Sequence, residues 1–485
     1  MRLALRWLAF FVPAVVLLVY LRRSNYLLPG LGTKTPSSVH GEETLRGGAK
    51  ADAPSIKPIS LFWERWSQLM YDTRPEGTPI TITGNAGTNA PKDASAQRTP
   101  HKDLVTNAQV ELELIRLAHQ RFMKELESLD RIDYSIFSGR GVVMVGGGEY
   151  FGPAIIGIQM LRRTGSTLPV EVFVPNDNDY EQDVCEKYLP KLNARCVVLS
   201  HFQPDQDQSE GNIAIKHYQL KAPALLLSSF AEVLLLDSDS IPLVDPETAI
   251  FETEPYQSSG LLTWPDFWVA TESPRFWDIA GLTEFPENLP STSSESGQLV
   301  VNKKTHLAPL LLATYYNLFG VDFFYPLLSQ GALGQGDKET FMAAAVALDA
   351  PYYRVKTPAV SLGRHDGIKK KGTAIVQHLP SDDASSRQGG SDKIRPAFLH
   401  SNTPKMNAGH LVDEGDLIAK NGKSRLRLLG PKAEAENIFG FDIEDTLWDL
   451  LVQTGCELAD TIEEWKKRDR LCERLTEHHN LVFES

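Results

Sequence analysis

Two carboxylates one residue apart, Asp237 and Asp239, stand where an apolar run ends, in the stretch Glu232-Val-Leu-Leu-Leu-Asp-Ser-Asp-Ser-Ile-Pro-Leu-Val-Asp245. Val233 to Leu236 reads as a buried strand, since a short apolar run closed by turn residues fits a strand covered on both faces. Ligands of open α/β sheets bind beyond the carboxyl ends of the strands, which sets both acids at the mouth of a cleft. Side chains of extended chain alternate, so Asp237 and Asp239 share a side and can face one divalent cation that also touches a diphosphate. Taken alone, the same pair is also what a solvated turn at a strand end carries.

Further residues with chemistry to offer come after the pair. Ser259-Gly-Leu-Leu-Thr-Trp-Pro-Asp-Phe-Trp268 is a strand ending in Trp264, Asp266 and Trp268. Aromatic faces beside a carboxylate suit a pyranose ring and its hydroxyls, although two core tryptophans near a turn would look the same. Glu295 and Gln298 precede another buried strand, at a location suited to holding a donor sugar. Asp337 lies in the glycine-rich stretch Gly334-Gln-Gly-Asp-Lys-Glu-Thr-Phe341, where it enters a helix as a carboxylate kept ionised by the positive end or as a plain cap. His400 and Asn402 close the short strand Phe398-Leu-His-Ser-Asn402, and a histidine there can complete an oxygen-rich metal site or be structural. Gly146, Gly147 and Gly148 let the backbone approach a nucleotide diphosphate. Lys216 or Lys221, ahead of the Asp-x-Asp strand, can add a cation to the phosphates or be surface charges.

These residues require elements to position them. Gly141–Gly148 reads as a strand, 154–163 as a helix, 170–175 as a strand, 180–189 as a helix and 195–199 as a strand. A helix over Tyr218–Ser229, interrupted at Pro223, then leads to the Asp-x-Asp strand. Strands alternating with helices at this spacing predict an α/β fold with a mostly parallel central sheet and helices on both faces. Gly146-x-Gly148-x-x-x-Gly152 also lies close to a dinucleotide-binding fingerprint. It opens a second reading, an NAD-dependent sugar-modifying enzyme, although the next strand ends in Pro175-Asn-Asp-Asn-Asp179 instead of one acidic residue. A third reading is a non-catalytic carbohydrate-binding protein.

Composition narrows the classes. The 485 residues suffice for one large or two ordinary domains, and 42% hydrophobic with 23% charged residues is ordinary for a globular chain. A net charge of −13 weighs against a nucleic-acid partner, which demands a basic field. Four cysteines fall in two close pairs, Cys185 with Cys196 and Cys456 with Cys472, open to disulfides in an oxidising compartment or to buried thiols in a reducing one. Leu3–Leu21 is apolar apart from Arg6 and ends without a small-x-small cleavage site, which favours a retained membrane anchor over a signal peptide. Basic residues flank it on both sides, so the short leading tail alone suggests a type II arrangement. The expected layout is 1–23 tail and transmembrane anchor, 24–103 flexible stem, 104–410 catalytic domain and 411–485 a helical extension. Within the stem, Ile59–Tyr71 with Trp63 and Trp66 is expected to form a short helix packed on the body. Ile115, Ala118, Phe122 and Leu126 mark a cover helix.

In order along the chain, Leu-Leu-Leu-Asp237-Ser-Asp239, Trp264-Pro-Asp266-Phe-Trp268, Glu295-Ser-Gly-Gln298-Leu-Val-Val-Asn302-Lys, Gly336-Asp337-Lys-Glu-Thr-Phe341, Val376-Gln377 and Phe-Leu-His400-Ser-Asn402 resemble the fungal Golgi α-1,2- and α-1,3-mannosyltransferases that branch mannan. The resemblance runs from about Gly139 to about Asn402 and implies a GT-A-type nucleotide-sugar-binding fold. It implies GDP-mannose as donor, Mn2+ or another divalent cation, retention of the α-anomer, and a mannose-containing acceptor on glycoprotein or cell-wall mannan. Asp237, Asp239 and His400 would then be metal ligands, with Asp337, Glu295 and Asp266 at the chemistry. Gly146 to Gly148, Lys216, Lys221, Asp237 and Gln298 would hold the donor, and Trp264, Trp268 and Asn402 the acceptor. The implied location is the Golgi membrane, with the catalytic domain in the lumen. Other Golgi mannosyltransferase subunits stand open as partners.

Overall fold

The apolar runs that read as strands form one half of a seven-stranded sheet. The computed structural model describes residues 56–484 apart from 88–97, 128–133, 203–214, 216, 367–368, 388, 390–392, 414 and 420. The expected anchor over Leu3–Leu21 lies outside these residues. Among the described residues no single helix is long and apolar enough to cross a membrane.

In chain order the strands are β1 (Arg140–Val145), β2 (Val170–Val174), β3 (Ala194–Val198), β4 (Glu232–Leu236), β5 (Ser240–Pro242), β6 (Leu261–Val269), β7 (Thr292–Asn302), β8 (Tyr353–Arg354), β9 (Val360–Asp366), β10 (Lys369–His378) and β11 (Pro396–His400). The main sheet runs β3-β2-β1-β4-β7-β6-β8. Its β3, β2, β1 and β4 are parallel, as the strand–helix alternation predicts. From β4 onward the expectation of a mostly parallel sheet gives way, because β7 is antiparallel to both β4 and β6. The alternating pattern that forces right-handed crossovers ends at β4, and the later strands β6 and β7 pair as neighbours in opposite directions. A second sheet, β5-β11-β10-β9, is antiparallel throughout. No local pattern announces it, since β5 is only three residues long.

The unbroken apolar run of β4 is explained by burial on both faces. Leu234 and Leu236, with Val142 and Met144 of β1, point into one core, while Val233 and Leu235, with Val143, point into the other. The first core is closed by carboxy-terminal helices, including Trp448, Leu451 and Leu475. The second is closed by the helices Ile56–Asp72 and Gln109–Leu126 through Trp63, Trp66, Ile115 and Phe122. Residues 54–485 accordingly form one compact unit. The expected stem boundary at residue 103 therefore moves, because a helix whose Trp66 is fully buried belongs to the body. The expected extension from residue 411 likewise contributes Leu411, Leu428, Trp448 and Leu475 to the first core instead of standing off from it. The pairs Cys185–Cys196 and Cys456–Cys472 are disulfides.

His119, on the inner side of the helix Gln109–Leu126, shows how tightly this cover fits. Its Nε2 lies 2.8 Å from the Tyr316 hydroxyl and the two rings stack at 5.7 Å, while its buried Nδ1 has no partner among the described residues. Burial pushes its pKa down to about 4. Between pH about 6.5 and that value the unfolded chain binds a proton that the folded chain refuses, so stability falls by about 3 kcal/mol as the pH drops through the window. His119→Gln keeps a polar partner for Tyr316 and does not titrate. Thermal melts at pH 7 and pH 4.5 should show the native chain losing ground against this variant on acidification. An unchanged gap would mean that the folded imidazole takes up its proton just as the unfolded chain does.

Candidate active site

β4 ends at Leu236, and the chain turns through Asp237-Ser-Asp239 directly into β5. The turn is pinned on two sides: the Asp237 N–H donates to the Gly297 carbonyl on β7 (2.8 Å), and the Asp239 carbonyl accepts from the Ser401 N–H (2.9 Å). β5 pairs with β11 so that Ser240 stands opposite His400. This register carries a histidine from far along the chain to the second aspartate, with His400 Nε2 3.2 Å from Asp239 Oδ1. The other ring nitrogen, Nδ1, is 3.1 Å from Glu295 Oε1.

Glu295 has no capacity left for a substrate. Its Oε1 also accepts the Gly297 N–H, and its Oε2 accepts Gln298 Nε2 at 2.6 Å and Gln377 Nε2 at 3.4 Å. Gly297 must be bare: a Cβ there would come within 2.5 Å of His400 Nδ1 and 2.7 Å of Glu295 Oε1. On the opposite side of the turn, Lys221 Nζ lies 2.9 Å from the Asp237 carboxylate and 3.3 Å from Asp337 Oδ2, and donates to Ser296 O and Oγ. Lys405 completes the ring by donating to Asp239.

Asp239 and Asp337 are buried, 2% and 3% exposed, while Asp237 and Lys405 keep an edge toward solvent. Burial by itself would push Asp239 up, but His400 and Lys405 outweigh it and hold the carboxyl well below its usual range. Glu295 is likewise held down to about 2, burial being overcome by His400 and by the Gly297 and Gln298 donors. Burial would lower His400, yet Asp239 and Glu295 raise it well above an ordinary imidazole. Asp237 moves the other way: burial raises it, Lys221 opposes, and the charge of Asp239 adds to the rise. Lys221 is disfavoured by burial but kept charged by Asp237 and Asp337.

Asp237, Asp239 and His400 offer ligand atoms that all lie within 4.8 Å of one another. Two carboxylates and one imidazole fit a hard divalent cation such as Mn2+. The histidine is already oriented for such a role, because Glu295 holds its ring through Nδ1.

Other expected site residues lie elsewhere. Trp264 is 0% exposed, donates from Nε1 to the His378 carbonyl (2.9 Å) and meets the Phe398 ring edge-on, so it is a core residue and not a sugar wall. Gln298 is fully buried and supports Glu295 instead of reaching a donor. Glu295 itself positions His400. Asp266 pairs with Lys338 at 3.0 Å, Trp268 is half-buried, and Asn402 is exposed. Lys216 lies outside the described residues.

The glycine loop divides in two. Gly147 and Gly148 take φ of +102° and +51° beside Asp179, as a backbone turning toward a ligand would. Gly146 is bare because Val172 Cγ1 would lie 2.5 Å from its Cβ, and Gly152 because Trp465 would lie 2.6 Å from its own. Two of the three glycines behind the dinucleotide reading are thus packing residues. Lys405 and Lys338 are the cations that sequence reasoning missed. Lys405 had a signal, as it lies just beyond His400 on the same short loop.

Residues 139–289 and 281–383 match the model of the Mannosyl_trans3 family of mannosyltransferases. The chain is 34% identical over 436 residues to alpha-1,2-mannosyltransferase MNN21 of Candida albicans, covering 76% of this chain and 65% of the relative. It is 38% identical over 275 residues to alpha-1,2-mannosyltransferase MNN2 of Saccharomyces cerevisiae, covering 50% and 46%. The chain therefore spans about half to two thirds of the length of these curated relatives. A solved glycosyltransferase, GlyE of Streptococcus pneumoniae, is similar only at 16% identity and a TM-score of 0.28 over 45% of each chain, too loose to bear on the site. The family match begins with β1 and takes in Asp237, Asp239, Glu295 and Asp337. By that match, which spans half its length, the chain belongs to the Mannosyl_trans3 family of mannosyltransferases.

Proposed function

We propose that this chain transfers mannose from GDP-mannose to an α-mannoside acceptor on glycoprotein or cell-wall mannan, with retention of the anomer and dependence on a divalent cation, Mn2+ above others. The observation that carries the reading is the convergence of Asp237, Asp239 and His400 at the end of β4, in a chain of a mannosyltransferase family. The relatives named above are alpha-1,2-mannosyltransferases, which supports that linkage. A GT-A-type fold agrees with the α/β sheet and with the acidic turn beyond β4. Two disulfides suit the lumen of a secretory compartment, and a Golgi location with a type II anchor over Leu3–Leu21 completes the proposal.

Asp237, Asp239 and His400 would hold the cation, which supplies Lewis-acid relief of the charge growing on the departing diphosphate. Gly147 and Gly148 would line the nucleotide. Lys221, already charged between Asp237 and Asp337, positions both and adds a fixed cation beside the phosphates. Asp337, buried against Lys221, is placed to accept a hydroxyl of the donor mannose.

Among the described residues no carboxylate of the cluster is left unpaired to act as a nucleophile. Glu295 is committed to His400, Asp337 to Lys221 and Asp266 to Lys338. That pattern favours front-side transfer: the acceptor oxygen bonds to the anomeric carbon as the bond from that carbon to the phosphate oxygen breaks, and the acceptor proton passes to the departing phosphate. The residues around it then serve as charge and orientation.

Asp239→Asn should lower mannose transfer to α-mannobiose by about 10²- to 10³-fold or more, with circular dichroism unchanged. Full transfer in the presence of a chelator would sink the metal role. Gly297→Ala tests the support of His400. The added Cβ must move the imidazole or Glu295, so Mn2+ affinity followed by electron paramagnetic resonance should fall by about 10- to 100-fold. An unaltered affinity would take His400 out of the ligand set.

A further inference from the structure

With Trp264 in the core, the exposed ring that lies beside Asp337 comes from another element. Tyr218 is the second residue of the turn His217–Leu220 that runs into the helix Lys221–Leu227. Lys221 is buried while Tyr218 is 60% exposed, the most exposed aromatic side chain among the described large hydrophobics. Its ring is not loose. It lies across Gly336, where a Cβ would come within 3.2 Å of Tyr218 Cδ2 and 3.3 Å of Cγ. One edge of the ring is thereby seated on the backbone next to Asp337.

The order of the sheet tells which end of the site this is. The glycine loop closes β1, the acidic turn closes β4, and Glu295 and Asp266 sit on β7 and β6. The turn Asp337–Glu339 is tied to that far side. The Glu339 carboxylate accepts the Ser294 N–H (2.8 Å) and hydroxyl (3.0 Å) on β7, and Lys338 reaches Asp266 on β6 at 3.0 Å. Tyr218, seated on Gly336, therefore stands at the rim beside Asp337. Asp337 lies deeper and is buried, so the donor sugar belongs at Asp337 and the exposed ring belongs to whatever approaches from solvent.

We propose that Tyr218 is the stacking platform for the acceptor mannoside, its ring covering the C–H face of the sugar while the Asp266–Lys338 pair on the same side offers partners for hydroxyls. This rests on the transferase reading given above. Loss of a ring of this size from a binding face is expected to lower affinity by about two- to tenfold.

The test compares Tyr218→Ala and Tyr218→Phe with the native chain, using GDP-mannose, Mn2+ and α-mannobiose. Tyr218→Ala should raise the acceptor KM about five- to tenfold, leaving the donor KM and the slow hydrolysis of GDP-mannose without acceptor unchanged. Tyr218→Phe should behave as native. Saturation-transfer NMR of α-mannobiose with GDP and Mn2+ present should weaken only in the alanine variant. An acceptor KM and an NMR signal that do not move overturn the proposal, and so does a rise confined to the donor KM. If the native chain neither hydrolyses GDP-mannose nor transfers from it, the transferase reading falls and this proposal with it. Intact hydrolysis with an unmoved acceptor KM removes the proposal alone.

Discussion

One imidazole held between two buried carboxylates organises this molecule. His400 meets Asp239 through one ring nitrogen and Glu295 through the other, and the three residues are brought together by strands of two sheets. Neither sheet could supply the arrangement by itself. The main sheet provides the aspartates at the end of β4 and Glu295 on β7, and the second lays β11 against β5, one residue past Asp239. Taking so many charges out of water costs several kcal/mol for each unless it is paired. The pairing is dense: Asp237, Asp239, Glu295 and Asp337 face Lys221, His400 and Lys405. Carboxylates outnumber cations in this group, which leaves the cluster short of positive charge where a divalent ion would enter.

The rest of the fold offsets this desolvation. β4 is buried on both faces, so the turn it presents hangs from a strand that has no freedom to shift register. The helices at the two ends of the described chain close opposite faces of the sheet. Phe122 stacks on Tyr315 at 4.4 Å on one side, and Trp448 packs against His478 at 4.2 Å on the other. Segments that read as stem and as extension thus supply apolar burial that stabilises the body around a polar centre.

The sequence is legible where a local pattern and a buried element coincide. Val233–Leu236, the glycine-ended β1 and the acidic pair are each visible within a few residues, and the helix face of Ile115, Ala118, Phe122 and Leu126 comes from period alone. The hidden features depend on pairing between distant segments. Nothing near Ser240 announces that three residues form a strand against β11, and nothing near Glu295 shows that its oxygens are consumed by His400, Gln298, Gln377 and the Gly297 N–H. Trp264 misleads for a related reason. An aromatic residue at a strand end beside a carboxylate has the composition of a sugar site. Its register opposite Glu295 instead turns it into the core, against Phe398 and the His378 carbonyl.

The same register explains why the acceptor side is hard to place from the chain alone. β6 turns Trp264 into the core, and beyond it the largely buried Asp266 is taken up by Lys338 from the turn that also carries Gly336 and Asp337. The aromatic face that rests on that turn comes from an element crossing it. The segment before Lys221 crosses there, because Lys221 must reach both Asp237 and Asp337. Three residues before that lysine, Tyr218 is exposed and rests on Gly336. On the proposed reading, the charge pairing around Lys221 also bears on which side chain meets the acceptor.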